Sequence, residues 1–392
     1  MDIDARIQRR QRRDEGPVLI QDYETLSPVA HIDEPSNRGP VFERLLDHLD
    51  PVFDGSLPPN AYVHGPAGAG KSAVVTALFS HLDQFSAEQR SVIHTSTRVK
   101  SPSSPSFVYL DLRETQTGFE FYHGVLDALA DESIPDHGIS TERLRERLRT
   151  ELDDSEVGVV IAVDHVDEPN TTDVVDLVDL FAGLPSNTSW LAIGRADPQE
   201  ILLSEYTARS IHVDSYQSQM LVDVVMTRAS EGLSQQALRH DLARTIADWA
   251  DGNAYDALAA LFIAADRANQ AGRTQVTERE IQTACEEIPQ PSVSLGRILS
   301  LPPNKRLVLR ELVDLDEQQR RSVTVTTETI SDAPTVDLTS GTVKRFLYEM
   351  AEIGIVERVQ GDSCGKGRPP SRIELRFPPT AFRRLYDLKK ES

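Results

Sequence analysis

Cysteine is nearly absent from this chain. Cys285 and Cys364 are the only two in 392 residues, and neither belongs to a C-x-x-C pair, which excludes a disulfide framework or a thiolate zinc site and leaves two plain thiols. Long apolar runs are missing too. None approaches the roughly 20 residues that cross a bilayer, and the opening Met1-Asp2-Ile3-Asp4-Ala5-Arg6 lacks the apolar core of a signal peptide. The expectation is a cytoplasmic protein without a membrane partner. Basic residues are outnumbered, 41 Lys+Arg against 62 Asp+Glu for a formal charge of −21, and Arg greatly outnumbers Lys. An acidic, lysine-poor surface suits a protein dissolved in concentrated salt, so the composition points to a halophile. Hydrophobic residues at 39% suffice for two or three cored domains and argue against disorder.

The charge is uneven. From Pro289 onward there are 17 basic and 14 acidic residues, a balance of +3, so the upstream part carries −24. The N-terminal tract with Arg6, Arg9, Arg10, Arg12 and Arg13 has almost no apolar residues and is expected to be a flexible basic tail; phosphate contact and simple solvation both suit it.

Tyr62-Val63-His64 followed by Gly65-Pro66-Ala67-Gly68-Ala69-Gly70-Lys71-Ser72-Ala73 fits G-x-x-x-x-G-K-[ST] between an apolar run and a helical one. Glycines let several backbone N–H groups turn inward at a helix N-terminus, which makes a cradle for a polyphosphate. In such a cradle Lys71 reaches the β- and γ-phosphates and the Ser72 hydroxyl ligates Mg2+. An ordinary glycine-rich turn would not need the Lys, the Ser and the spacing together.

Phe107 to Leu112 reads as a second strand, and two helical segments follow it. Val157 to Asp164 is a continuous apolar run ending in an acid, the pattern of a buried parallel strand that presents Asp164 at the sheet's carboxyl edge, where it would support Mg2+. Trp190–Arg195 and Ser210–Val213 complete strands alternating with helices. That alternation predicts an α/β protein with a parallel, three-layer sheet. Beyond Ser218 the pattern is helical only, to about Glu287, and reads as a lid.

After Pro289 the helices Asn304–Leu315 and Ser340–Ile353 precede two β-rich runs, Ile355–Val359 and Ile373–Phe377. The second helix shows Val343, Phe346, Leu347, Met350 and Ile353 on one face and Gly341, Lys344, Arg345, Tyr348 and Glu352 on the other. Lys366, Arg368 and Arg372 surround a basic hairpin tip. This is the layout of a winged helix, with the helix in a major groove and the wing on phosphates, or of the same fold used for protein contacts.

The whole arrangement resembles the archaeal replication-initiator family related to the origin recognition complex and cell-division-control initiators. The likeness rests on Asp22-Tyr23, Asp33-Glu34-Pro35-Ser36-Asn37-Arg38, the phosphate loop, Gly252-Asn253-Ala254, and Val356-Glu357-Arg358 with Gly365-Lys366-Gly367-Arg368. It implies an AAA+ domain over residues 17–216, a helical lid over 217–288 and a winged helix over 289–392, after a tail at 1–16. It also implies ATP or ADP with Mg2+, Arg38 on the adenine side, and duplex DNA as partner, with a replicative helicase or a second initiator copy as further candidates. Three positions depart from the family pattern. His165 stands where a catalytic Glu usually follows Asp164, although Asp167 and Glu168 lie just beyond; Arg195 stands at a polar sensor; Tyr255 stands where the lid supplies a sensor Arg. Asp164, His165 and Glu168 are therefore the candidate catalytic residues of a slow or impaired ATPase. Arg209 is the positional candidate for a trans-acting finger. A nucleotide-responsive transcriptional regulator needs the same ATP site and DNA reader, and a DNA-independent remodelling ATPase is the third reading.

Overall fold

The computed structural model describes residues 18–93, 105–130, 133–153, 158–169, 171–360 and 371–391. The basic tail, Lys366 and Arg368 therefore lie outside the described residues. The chain divides into two compact units, His31–Tyr216 and a second made of the described residues up to Ala30 together with Gln217 onward.

Five strands form the centre of the first unit: β1 (Ala61–His64), β2 (Ser106–Asp111), β3 (Val159–Asp164), β4 (Thr188–Gly194) and β5 (Arg209–His212). Their spatial order is β2-β3-β4-β1-β5, and every pairing is parallel. A parallel sheet must be covered on both faces, and the period-two alternation along β3 does this. Val159, Ile161 and Val163 pack into one core with the helices Gly118–Leu129, Thr141–Asp153 and Val174–Ala182. Val160 and Ala162 pack into the other with Gly39–Leu49 and Lys71–Ile93. The expected three-layer α/β architecture is present. The sequence steps from β1 over two neighbours to β2, so the carboxyl ends of β1 and β3 flank β4 and open a crevice at that edge.

In the second unit the helices Ser218–Gly232, His240–Ala250, Ala254–Gln270 and Glu278–Glu287 are followed by Pro303–Asp314, Val323–Ser331 and Ser340–Glu352. The antiparallel hairpin β6 (Val356–Gln360) and β7 (Ser371–Leu375) and the helix Pro379–Glu391 end it. The short N-terminal helix Tyr23–Leu26 belongs here as well: Ile20 bridges to Leu233, and a Cβ on Gly232 would lie 2.5 Å from Leu26. Among the described residues no helix is long and apolar enough to cross a membrane.

Candidate nucleotide site and basic helix face

Gly65, Gly68 and Gly70 have φ of 151°, 67° and 80°. A side chain at Gly65 would place its Cβ 2.1 Å from the Val213 carbonyl oxygen, and one at Gly70 would meet the Tyr216 hydroxyl at 2.9 Å. Glycine is thus required by backbone twist and by space. Pro66 and Ala67 are exposed at the loop tip, Ala69 is buried, and Lys71, Ser72 and Ala73 open the following helix. Lys71 donates to the carbonyls of Gly65 and Pro66 at 2.7 and 2.8 Å. Burial pushes its ammonium down to about 8, against the pull of Asp164.

Asp164, at the end of β3, is 2% exposed. Tyr109 donates its hydroxyl to one carboxylate oxygen at 2.5 Å, the His165 N–H donates to the other at 2.7 Å, and Ser72 also hydrogen-bonds to it. Burial works to raise this carboxyl, but the charge of His165 and the hydrogen bonds from Ser72 and Tyr109 outweigh it and hold it below its ordinary value. Ser72 and Asp164, the two metal candidates, are thereby brought together.

His165 adopts left-handed backbone, φ 64°. That turn brings its ring to 3.7 Å from Asp164 and 3.3 Å from Glu168. Burial opposes the imidazolium, yet Asp164 and Glu168 together raise its pKa. Glu168 is also buried and takes a 2.6 Å bond from Arg195. Burial is again overcome, by His165 and Arg195, and this acid is held at about 2. Asp167 accepts the N–H groups of Arg195 and Ala196 at 2.6 and 2.5 Å, a backbone brace at the end of β4.

Arg38 is 5% exposed and lies 3.5 Å above the Tyr216 ring. Its Nε and Nη2 meet no hydrogen-bond partner among the described residues, and its Nε would be 3.6 Å from a Cβ on Gly70. A buried guanidinium with idle donors beside a phosphate loop is costly unless an acceptor arrives. Tyr109 and Tyr216 escaped sequence reading. Tyr109 alternates into a strand like any core aromatic, and Tyr216 carries no motif.

Elsewhere, Tyr255 accepts the N–H of Leu295 at 2.7 Å, so its hydroxyl is engaged with the segment that follows the lid. Arg209 opens β5 with an exposed side chain. In the helix Ser340–Glu352, Val343, Leu347 and Met350 are buried while Lys344 and Arg345 are exposed. Arg345 lies 3.8 Å from Glu349. Tyr348 is half-buried between two cations, Lys344 at 5.7 Å and Arg358 at 5.1 Å from its ring. Arg358, on β6, donates to the Ser371 hydroxyl at 3.0 Å and extends the basic face toward the hairpin. Arg372 is exposed and paired with Glu374 at 2.6 Å.

The AAA ATPase domain family model matches residues 36–193. The ORC1-type DNA replication protein of Thermococcus onnurineus is 23% identical over 372 residues, covering 88% of this chain and 85% of its own. ORC1-type DNA replication protein 9 of Halobacterium salinarum is 24% identical over 301 residues, covering 74% and 77%. Among solved structures, the Aeropyrum pernix ORC1 protein in complex with DNA superposes with a TM-score of 0.62 at 21% identity, over 95% of this chain and 97% of that one.

Proposed function

Because the chain is a homologue of the ORC1-type DNA replication proteins and carries an AAA ATPase domain, we propose that it is an ATP-binding, origin-recognising replication initiator whose nucleotide acts as a slow-turnover switch. Residues 17–216 are the nucleotide-binding domain, 217–288 the lid and 289–392 a winged helix that reads duplex DNA. The carrying observation is one sheet edge that pairs an intact polyphosphate cradle with an acid already neutralised: Glu168 is clamped by Arg195 and His165.

The residues present suit ATP. Arg38 offers idle buried donors, the glycines leave room for phosphate, and Lys71 supplies the cation. Ser72 and Asp164 would hold Mg2+, which when bound neutralises phosphate charge. Hydrolysis further needs a group that orients water. A carboxylate held at about 2 and bound to a guanidinium is a weak base, and the His165 ring is itself engaged with Asp164 and Glu168. Slow turnover follows from this chain's own side chains. On the DNA side, Lys344, Arg345 and Tyr348 offer a helix face for the major groove, with Arg358 of β6 beside it, and Lys366, Arg368 and Arg372 offer phosphate contacts.

Genome-wide crosslinking of the protein to DNA, paired with measurement of nucleotide retained through purification, tests the reading. Enrichment at a replication start with bound nucleotide is the expected result. Scattered promoters would favour a nucleotide-responsive transcriptional regulator, and no enrichment a DNA-independent ATPase.

A further inference from the structure

Two histidines outside the nucleotide machinery face each other at the carboxyl edge of the sheet. His64 ends β1 and His212 ends β5, and the parallel register sets them directly opposite. Their Nδ1 atoms are 3.5 Å apart while the ring centroids are 4.9 Å apart, so the two Nδ1 edges point inward. On the outer side of His212, Nε2 lies 3.2 Å from Asp214 Oδ1. On the inner side of His64, the ring stacks on Tyr62 at 5.5 Å and 14°.

The spacing is informative. It exceeds the usual hydrogen-bond range of about 2.7–3.2 Å, so a direct N–H···N bond would be a poor one. It matches two nitrogens sharing one cation: with metal–nitrogen bonds of about 2.0–2.1 Å, a 3.5 Å separation subtends roughly 113–122°, a little wider than tetrahedral. Asp214, 3.2 Å from Nε2, favours the tautomer that carries its proton on that nitrogen and leaves Nδ1 bare. We propose that His64 and His212 form a chelate for a divalent transition cation that favours imidazole, zinc, nickel or copper, with Asp214 as the positioning residue and with no role in holding Mg2+.

The surroundings support neutral imidazole at His64. Burial lowers its pKa first, then His212; Asp197 opposes and Lys71 adds to the lowering. Asp197 and Asp214 would balance a bound cation's charge, and Lys71 would oppose it. The described residues hold no cluster of three or more His, Cys, Asp or Glu that could share a metal, so water completes the coordination. The location gives the site a consequence. Val213 donates its N–H to the His64 carbonyl at 2.7 Å, and Gly65 packs against Val213, so a cation here clamps the two strands where the phosphate loop begins.

The test uses the tag-free full chain with excess Mg2+ and no nucleotide, because nucleotide itself chelates. Zinc titrated calorimetrically should bind at one equivalent. Asp214→Asn should weaken it about 10–100-fold, and His64→Gln or His212→Gln should abolish it with circular dichroism unchanged. Copper bound to the native chain should give paramagnetic-resonance couplings from two imidazole nitrogens, and from one at most in either single variant. His212 is half exposed, so its replacement leaves the fold in place. Absence of zinc binding, or one equivalent that persists in His212→Gln, would overturn the proposal.

Discussion

Arg195 grips Glu168 at 2.6 Å, and the acid's other neighbour is the His165 ring at 3.3 Å. Glu168, four residues beyond Asp164, is thus spent on internal neutralisation. Replacing His165 by Glu puts a fresh carboxylate beside Asp164 and removes the imidazole from Glu168, which keeps Arg195. The left-handed backbone at this residue suits His better than Glu, so circular dichroism and nucleotide retention of the variant should be checked beside its hydrolysis. Single-turnover hydrolysis should rise by about a hundredfold, within the usual range for a positioned base. Lys71→Ala should abolish nucleotide retention in either background. Brisk hydrolysis by the native chain that vanishes in His165→Glu would refute the switch.

A second polar cluster has a structural role. Asp266 is 1% exposed; it accepts from Tyr23 at 2.8 Å and Gln270 at 2.6 Å, and Arg384 lies 3.4 Å away while stacking over Tyr23 at 4.3 Å. Three segments distant in sequence meet on one carboxylate. Asp266→Ala leaves an arginine and a phenol without their partner, and should cost about 3–5 kcal/mol in denaturant unfolding. Tyr23→Phe should cost about 1 kcal/mol. Equal losses from the two variants would deny the carboxylate its central place.

Asp256 gives a pH dependence of known sign. Burial pushes it up to about 6, against hydrogen bonds from Gln290 and Asn253. Since the folded value exceeds the unfolded one near 3.9, the fold favours the protonated acid. That contribution is complete below about pH 4 and disappears as pH rises through 6, which amounts to about 1 kcal/mol between pH 5 and pH 8. Asp256→Asn, which keeps an acceptor for the Asn253 amide, should flatten unfolding free energy over that interval by this amount. An unchanged slope would assign the pH dependence to other groups.

The phosphate loop and β3 were legible because their chemistry is local: positive φ demands glycine, and a strand buried on both faces demands an unbroken apolar run. Other features depend on distant contacts and left no local trace. Arg38 meets Tyr216 only after the sheet has formed. Residues near Tyr23 join the lid through Asp266, 243 positions away. The helix Val323–Ser331 is rich in β-branched residues, which favour strands; Ser322 caps its N-terminus, and burial of Val323, Thr326, Thr327 and Ile330 overrides that propensity. The ion cluster at Glu168 was half visible. The departures at 165 and 195 were read from the sequence, but their mutual neutralisation needed coordinates.

The basic helix face makes the last prediction. If the protein works in concentrated salt, the Debye length there is only about 3 Å at 1 M, so attraction between separated charges cannot hold DNA. Contacts must then be short. Arg372 is exposed and tied only to its neighbour Glu374 among the described ion pairs, so as a phosphate contact it should contribute mainly at low salt. Arg372→Ala should reduce the slope of log affinity against log salt by about 0.9. Tyr348 differs. Its ring is held between Lys344 and Arg358, so both cations are oriented by packing as well as by charge. Tyr348→Ala removes the platform on which both rest and should lower affinity at 0.1 M and at 1 M alike, with little change of slope. Tyr348→Phe keeps the ring and should retain most binding unless the hydroxyl itself contacts a base. Fluorescence anisotropy on a duplex across that salt range separates the effects: a loss in Tyr348→Ala that disappears at 1 M would reduce the stack to a steering charge.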